Sequence, residues 1–374
     1  MFIIIIFMLI SCLSIYSSQK YLPYDEPFAL KQLVWYGLGF TMSAFIYFLD
    51  LEQIRKISLI PYLFGVLILF VLIISPESIA PEIKGIRAWF VIPGINFSLQ
   101  PAEFMKIFLI IYLANLIVWH NDKHPNRTIS SDLVLIGKAG FVTFLPILLI
   151  LQQPDAGTAM VICAIMLGML FLSGVHWKLI SCLAVLGILL LCSLIVIYLK
   201  FPELLLLVLD QYQLDRIHSW LDPFGYRNGI GYQLTQSILA IGSGVTGGKG
   251  FNNGDVIVPE SHSDFIFTVI GEEYGFIGSS LVIILYFFLI YRIIIIALRH
   301  KGDYEILIAA GVTSMLTFHI VENIGMVIGL VPITGIPLPL LSYGGSSILA
   351  TLLALNLILN ISAKTKRYMF SEND

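Results

Sequence analysis

Lys178-Leu-Ile-Ser-Cys-Leu-Ala-Val-Leu-Gly-Ile-Leu-Leu-Leu-Cys-Ser-Leu-Ile-Val-Ile-Tyr-Leu-Lys200 holds an unbroken uncharged run between two lysines. A helix rises 1.5 Å per residue, so such a run covers roughly 30 Å, the thickness of a bilayer's hydrocarbon core. It lacks the apolar/polar alternation of an outer-membrane strand. Lipid leaves backbone groups no partner outside the chain, so the run reads as a transmembrane helix.

Working outward, similar apolar runs begin near Met1, Lys31, Ser58, Gln100, Gly137, Gly157, Lys178, Asp264, Glu305 and Ser346. The expectation is an all-α polytopic membrane protein of about ten transmembrane helices, one domain over 1–374. Met1 to Ser18 could be a signal peptide, but it lacks a basic n-region and its apolar stretch is long, which favours a retained helix. Composition agrees: 58% of residues are hydrophobic and 12% charged, and mean hydropathy is +0.91. Lipid must be the main solvent of such a chain. The net charge of -3 suggests no nucleic-acid partner. Cys12, Cys163, Cys182 and Cys192 lie in apolar runs without metal-binding spacing and read as small core residues.

An even number of spans puts both termini on one side. With cytoplasmic termini, that side carries Arg55, Lys56, Lys123, Arg127, Lys138, Lys178, Arg292, Arg299, Lys301, Lys364, Lys366 and Arg367, the larger share of the 21 cations. The positive-inside rule therefore favours cytoplasmic termini. The large loop 200–263, between helices 7 and 8, then faces outward, as does Pro76 to Leu99. Long loops that are not of disordered composition usually carry function. The larger one, rich in Gly and aromatics, is predicted to form short helices on the membrane surface.

Charges that violate the apolar rule mark candidate sites. Glu103 and Lys106 share one face of the fourth helix and can pair, either as a structural ion pair or as part of a polar cavity. Asp155 follows Gln152-Gln153-Pro154, where it can cap the next helix. Asp264 opens the eighth helix, with His262 just before it, at the rim of the large loop. It is either an N-cap or a carboxylate placed to meet a lipid head group. Val331 to Ser346 contains Pro332, Pro337, Pro339, Gly335, Gly344 and Gly345 and cannot be one helix. Non-helical backbone at membrane depth needs protein or water around it, so this segment is expected to line the cavity unless it is a plain re-entrant turn. His319, inside a span, is not expected to do chemistry.

Gly242-Ser243-Gly244-Val245-Thr246-Gly247 matches the GxGxxG pattern, but no βαβ unit surrounds it, so a dinucleotide site is rejected. A P-loop at Gly248-Lys249 fails too, with Ser243 and Gly250 in the wrong places.

The chain resembles the SEDS family (shape, elongation, division and sporulation) along nearly its whole length. The resemblance rests on Lys84-Gly85-Ile86-Arg87-Ala88-Trp89, Gln100-Pro101-Ala102-Glu103 with Lys106, Gln153 to Thr158, Gly231-Tyr232-Gln233 through Gly244, Pro259-Glu260-Ser261-His262-Ser263-Asp264-Phe265, and Pro337 through Ser342-Tyr343-Gly344-Gly345-Ser346. It implies a peptidoglycan glycosyltransferase of the bacterial cytoplasmic (inner) membrane that polymerises lipid II at the outer face with a class B penicillin-binding protein. By motif it makes Asp264 catalytic and places Arg87, Trp89, Glu103, Lys106, Asp155, Arg216, His262, Ser342 and Gly344 around substrate. Ala88 departs from the Arg common before that Trp, a contact that falls to Arg87.

Gly247-Gly248-Lys249-Gly250-Phe251 is more similar to the RodA branch than to the FtsW branch. Division or sporulation polymerases of the FtsW and SpoVE kind remain the alternative, as does a lipid II flippase without transferase activity, or a scaffold for other wall enzymes. The leaving pyrophosphate needs positive charge, for which Lys106, Arg87, Arg216 or a divalent metal (Mg or Mn) are candidates. No motif fixes a cofactor.

Overall fold

The computed structural model describes residues 1–21, 26–47, 49–83, 85–92, 97–201, 203, 211–300 and 302–370. Lys84, Asp210 and Lys301 lie outside the described residues.

Each apolar run contains a helix: α1 (Phe2–Ser18), α2 (Phe28–Tyr47), α4 (Leu59–Ile74), α5 (Pro101–Lys123), α6 (Ile129–Leu151), α7 (Ala156–Leu172), α8 (Trp177–Lys200), α11 (Ile266–Leu298), α12 (Asp303–Val327) and α13 (Gly345–Phe370). A short α3 (Leu51–Ile57) precedes α4, and α9 (Gln211–Leu221) and α10 (Tyr232–Ser243) lie within the large loop. Among the described residues six helices, α5, α6, α8, α11, α12 and α13, are each long and apolar enough to cross a membrane. The apolar helices α1, α4 and α7 are shorter.

Helix ends follow local chemistry. Pro101 sits in the first turn of α5, where its missing N–H costs nothing. Thr128 caps α6 by accepting from Ser131 N (3.2 Å). The centre of the bundle is α5, α7, α12 and α13: α12 packs on α7, α5 and α11, and α13 packs on α2. Most of α5, α12 and α13 is buried, whereas α8 buries none of its residues.

Two features depart from uninterrupted helices. The loop before α5 carries an antiparallel hairpin, β1 (Phe90–Ile92) with β2 (Phe97–Leu99), registered Phe90 to Leu99. Helix α11 breaks at Gly275, whose φ of 61° lies in the left-handed region. The glycine-rich loop that resembled a dinucleotide fingerprint fills the break. Lys249 N and Gly250 N donate to Glu272 O and Glu273 O (3.0 and 2.9 Å), and Phe276 N and Ile277 N donate to Val245 O and Thr246 O (3.0 and 3.2 Å). The helix peptide groups freed by the break are thus satisfied by protein, as an apolar surround demands. Only glycine fits at position 248: its φ is +77°, and a Cβ would lie 2.2 Å from Glu273 O.

The large loop is docked on the segment between α12 and α13. Trp220 Nε1 donates to Gly329 O (3.0 Å), Ser237 Oγ to Val327 O (2.6 Å) and Arg216 to Thr334 O (3.2 Å). Residues 331–344 are non-helical, as the prolines require, and wind through the end of the bundle that bears both large loops.

Candidate active site

A cavity of about 500 Å³ opens at this loop-bearing end. Its walls come from the hairpin loop, the starts of α5 and α7, α9, the turn before α11 and residues 333–347. Of the residues expected to be catalytic or to surround substrate, Trp89, Glu103, Asp155, Arg216, Asp264 and Gly344 line it, and the non-helical segment adds Gly335, Pro337 and Gly345.

Asp264 ends a tight turn in which Ser263 N and Phe265 N both donate to Glu260 O (3.0 and 3.2 Å), with Glu260 itself at a φ of 58°. A non-glycine residue held there carries strain, a property that concentrates at functional sites. The N-cap position of α11 is Phe265, one residue after Asp264. Ser263 Oγ donates to Asp264 Oδ1 (2.8 Å). Gly335, at φ +79°, faces Asp264: a Cβ added there would sit 3.6 Å from Oδ2.

Asp155 does cap its helix: Oδ1 accepts Thr158 N (3.0 Å) and Oδ2 accepts Thr158 Oγ1 (2.8 Å). It also lines the cavity and accepts from Gln100 Nε2 (3.1 Å), so capping and site roles coincide.

Glu103 and Lys106 pair at 2.8 Å with both side chains almost wholly buried. Glu103 reaches the cavity wall and Lys106 lies behind it. Lys106 Nζ also donates to His319 Nε2 (3.0 Å), which leaves His319 Nδ1 to donate to Pro337 O (3.2 Å). His319 therefore links the charge pair to the non-helical segment.

Arg87, His262 and Ser342 are not on the wall. Arg87 donates to Ala80 O (2.9 Å) and to Ser75 O, so its guanidinium ties the hairpin loop together. His262 packs on Phe28 (ring centroids 4.6 Å apart), and its backbone carbonyl accepts Tyr343 N (2.9 Å). Ser342 Oγ donates to Ser263 O (2.6 Å) and accepts Leu338 N (2.7 Å), clasping the two site loops. These three build the frame.

Two residues of α12, Glu322 and Asn323, join the site from outside the quoted motifs. Asn323 Nδ2 donates to both Asp264 O (2.7 Å) and Ile336 O (2.8 Å). Glu322 bonds Thr334 Oγ1, whose own backbone carbonyl receives Arg216. Gln100 and Glu260 complete the polar wall. Glu322 and Asn323 are polar residues inside an apolar run, the same signal that exposed Lys106.

Among the described residues no three His, Cys, Asp or Glu side chains converge closely enough to hold a metal ion. Among them too, Arg216 alone brings a positive side chain to the cavity wall. The arrangement thus offers a carboxylate and a cation on one polar wall at the loop-bearing end of the bundle, which suits a proton acceptor beside a developing negative charge.

This fold and cavity define a class: polytopic helical membrane proteins with an acid-lined pocket at one end of the bundle. The FtsW/RodA/SpoVE family of cell cycle proteins matches residues 1–367, and the chain belongs to that family. A probable peptidoglycan glycosyltransferase FtsW of Trichlorobacter lovleyi is 35% identical over 96% of this chain and 90% of its own. Peptidoglycan glycosyltransferase MrdB of Escherichia coli is 33% identical over 84% and 80%. A chain of a peptidoglycan synthase complex that coordinates polymerization and crosslinking superposes with a TM-score of 0.76 at 28% identity, covering 97% of both chains. The rod shape determining protein RodA of Thermus thermophilus superposes at 0.69 with 26% identity, over 97% of this chain and 95% of that one.

Proposed function

We propose that this chain is a peptidoglycan glycosyltransferase that polymerises lipid II with Asp264 as general base. The observation that carries the reading is the Asp264 carboxylate on the cavity wall, with its backbone held by Asn323. Asp264 accepts the proton of the GlcNAc 4-hydroxyl of one lipid II as that oxygen bonds to C1 of the donor MurNAc. The bond from C1 to the pyrophosphate oxygen breaks, and undecaprenyl pyrophosphate leaves towards Arg216. A positioned base contributes about 10² to 10⁴-fold. Trp89, Glu103 and Asp155 shape the sugar-binding wall.

The supporting topology has ten spans, both termini cytoplasmic and the cavity facing outward in the cytoplasmic membrane. A class B penicillin-binding protein is the proposed partner, a reading supported by the likeness to a chain of a peptidoglycan synthase complex. Relatives of the division and elongation branches match at similar identity, and the loop around Gly248 favours an elongation role.

Purified chain given lipid II should make glycan polymer, with and without the transpeptidase. Asp264→Asn should abolish it; polymer at the normal rate would remove Asp264 from this role, and transport of lipid II without polymer would favour a flippase.

A further inference from the structure

At the far end of α5 from Glu103, roughly 24 Å along a helix of 1.5 Å rise per residue, the chain gathers positive charge. Lys123, in the last turn of α5, and Lys138, on α6, both aim their ammonium groups at the indole of Trp119, 5.1 and 4.9 Å from its centroid. Trp119 is 51% exposed. Lys138 Nζ also meets His120 Nδ1 (3.5 Å), and His120 stacks on His124 with centroids 4.4 Å apart.

The nearby carboxylates are committed elsewhere. Asp122 pairs with Arg55 (3.6 Å), and the buried Asp132 accepts His176 N (2.9 Å). Among the described residues neither Lys123 nor Lys138 has a carboxylate partner. A lysine that merely snorkels carries its ammonium out into water. Here two from different helices are brought against one exposed ring instead.

We propose that Trp119, Lys123 and Lys138 form a binding site for the phosphodiester of an anionic phospholipid at the membrane face opposite the cavity. The two ammonium groups take the phosphate and the indole takes the glycerol region. Phe141, one turn on from Lys138 and 77% exposed, offers an apolar track for an acyl chain. That track favours a lipid over a soluble phosphate. Basic pockets between spans recognise anionic head groups in this way, at about 1 kcal/mol per cation. On the proposed orientation this is the inner leaflet.

Native mass spectrometry of the full chain, with phosphatidylglycerol, phosphatidylcholine or inorganic phosphate added, tests the site. Wild type should retain phosphatidylglycerol over phosphatidylcholine. K123Q/K138Q should bind it at least roughly tenfold more weakly, the loss of two such cations. K123R/K138R should keep it, which separates lost charge from lost fold, and so should K56Q/K178Q, which removes two lysines outside the cluster. Equal retention of the two lipids, unchanged binding by K123Q/K138Q, or displacement of the lipid by equimolar inorganic phosphate would each overturn the proposal.

Discussion

Asn323 holds Asp264 by its backbone: one side-chain amide donates to Asp264 O at 2.7 Å and to Ile336 O at 2.8 Å. A single residue of α12 thereby sets the distance between the turn that carries the carboxylate and the segment that faces it. Asn323→Leu should take one donor from each of these two carbonyls, at about 1 to 3 kcal/mol for the buried Ile336 O, and let Asp264 shift. A displacement of the order of 1 Å can cost about 10²-fold in rate. The expected result is lipid II polymerisation lowered by that order, with kcat falling more than KM rises.

Lys106 stands between two buried groups, so removing it strands both. Lys106→Met should lower stability by about 3 to 5 kcal/mol, the range for breaking a buried pair. Thermal unfolding in detergent reads this directly. Glu103→Gln combined with Lys106→Met should recover part of the loss, because the uncompensated carboxylate is gone.

Gly248→Ala should be among the most damaging changes at a position far from the cavity wall. Its Cβ would meet Glu273 O at 2.2 Å with the backbone at φ +77°, so the loop must lift from the break in α11. Lost thermal stability and fast hydrogen exchange of the amides of Lys249, Gly250, Phe276 and Ile277 are expected together.

Glu272 Oε1 accepts Lys249 Nζ (2.6 Å), Asp255 N (2.8 Å) and Val256 N (3.1 Å), binding the loop that leads to Asp264. The hydrogen bond it donates to Glu272 raises the Lys249 ammonium above the ordinary lysine range. A folded-state pKa raised in this way gives a contribution that is full below the unfolded value and lost as pH rises through the folded one. Lys249→Met should therefore speed proteolysis of the loop at neutral pH, while wild type loses this protection only at strongly alkaline pH. Equal proteolysis rates at neutral pH would show that the pair does not hold the loop.

Much of this architecture was legible because lipid punishes charge. Apolar runs located the helices, and Glu103, Asp155 and Asp264 stood out as exceptions that the cavity explains. Arg87, His262 and Ser342 fell in the right motifs, but motifs do not say which side of a loop a side chain faces. Asn323 and Glu322 were overlooked despite breaking an apolar run, since an amide and a carboxylate there read as helix interior until their loop partners are known. The glycine-rich loop could be rejected as a nucleotide site from sequence, yet its use required the break at Gly275, which no residue pattern announces.

The segment after α12 is also stitched to the beginning of the chain. Ser11 Oγ donates to Leu341 O (2.8 Å), Gln32 Nε2 to Ser342 O (3.0 Å), and Tyr36 to Leu340 O. During synthesis α1 and α2 therefore enter the bilayer some three hundred residues before their polar side chains find these acceptors. They wait in the membrane with provisional partners, and contacts so distant in sequence form slowly. The pocket therefore cannot close before Leu340 and the residues after it are made, and a ribosome that stops earlier releases a chain without the far wall of the site.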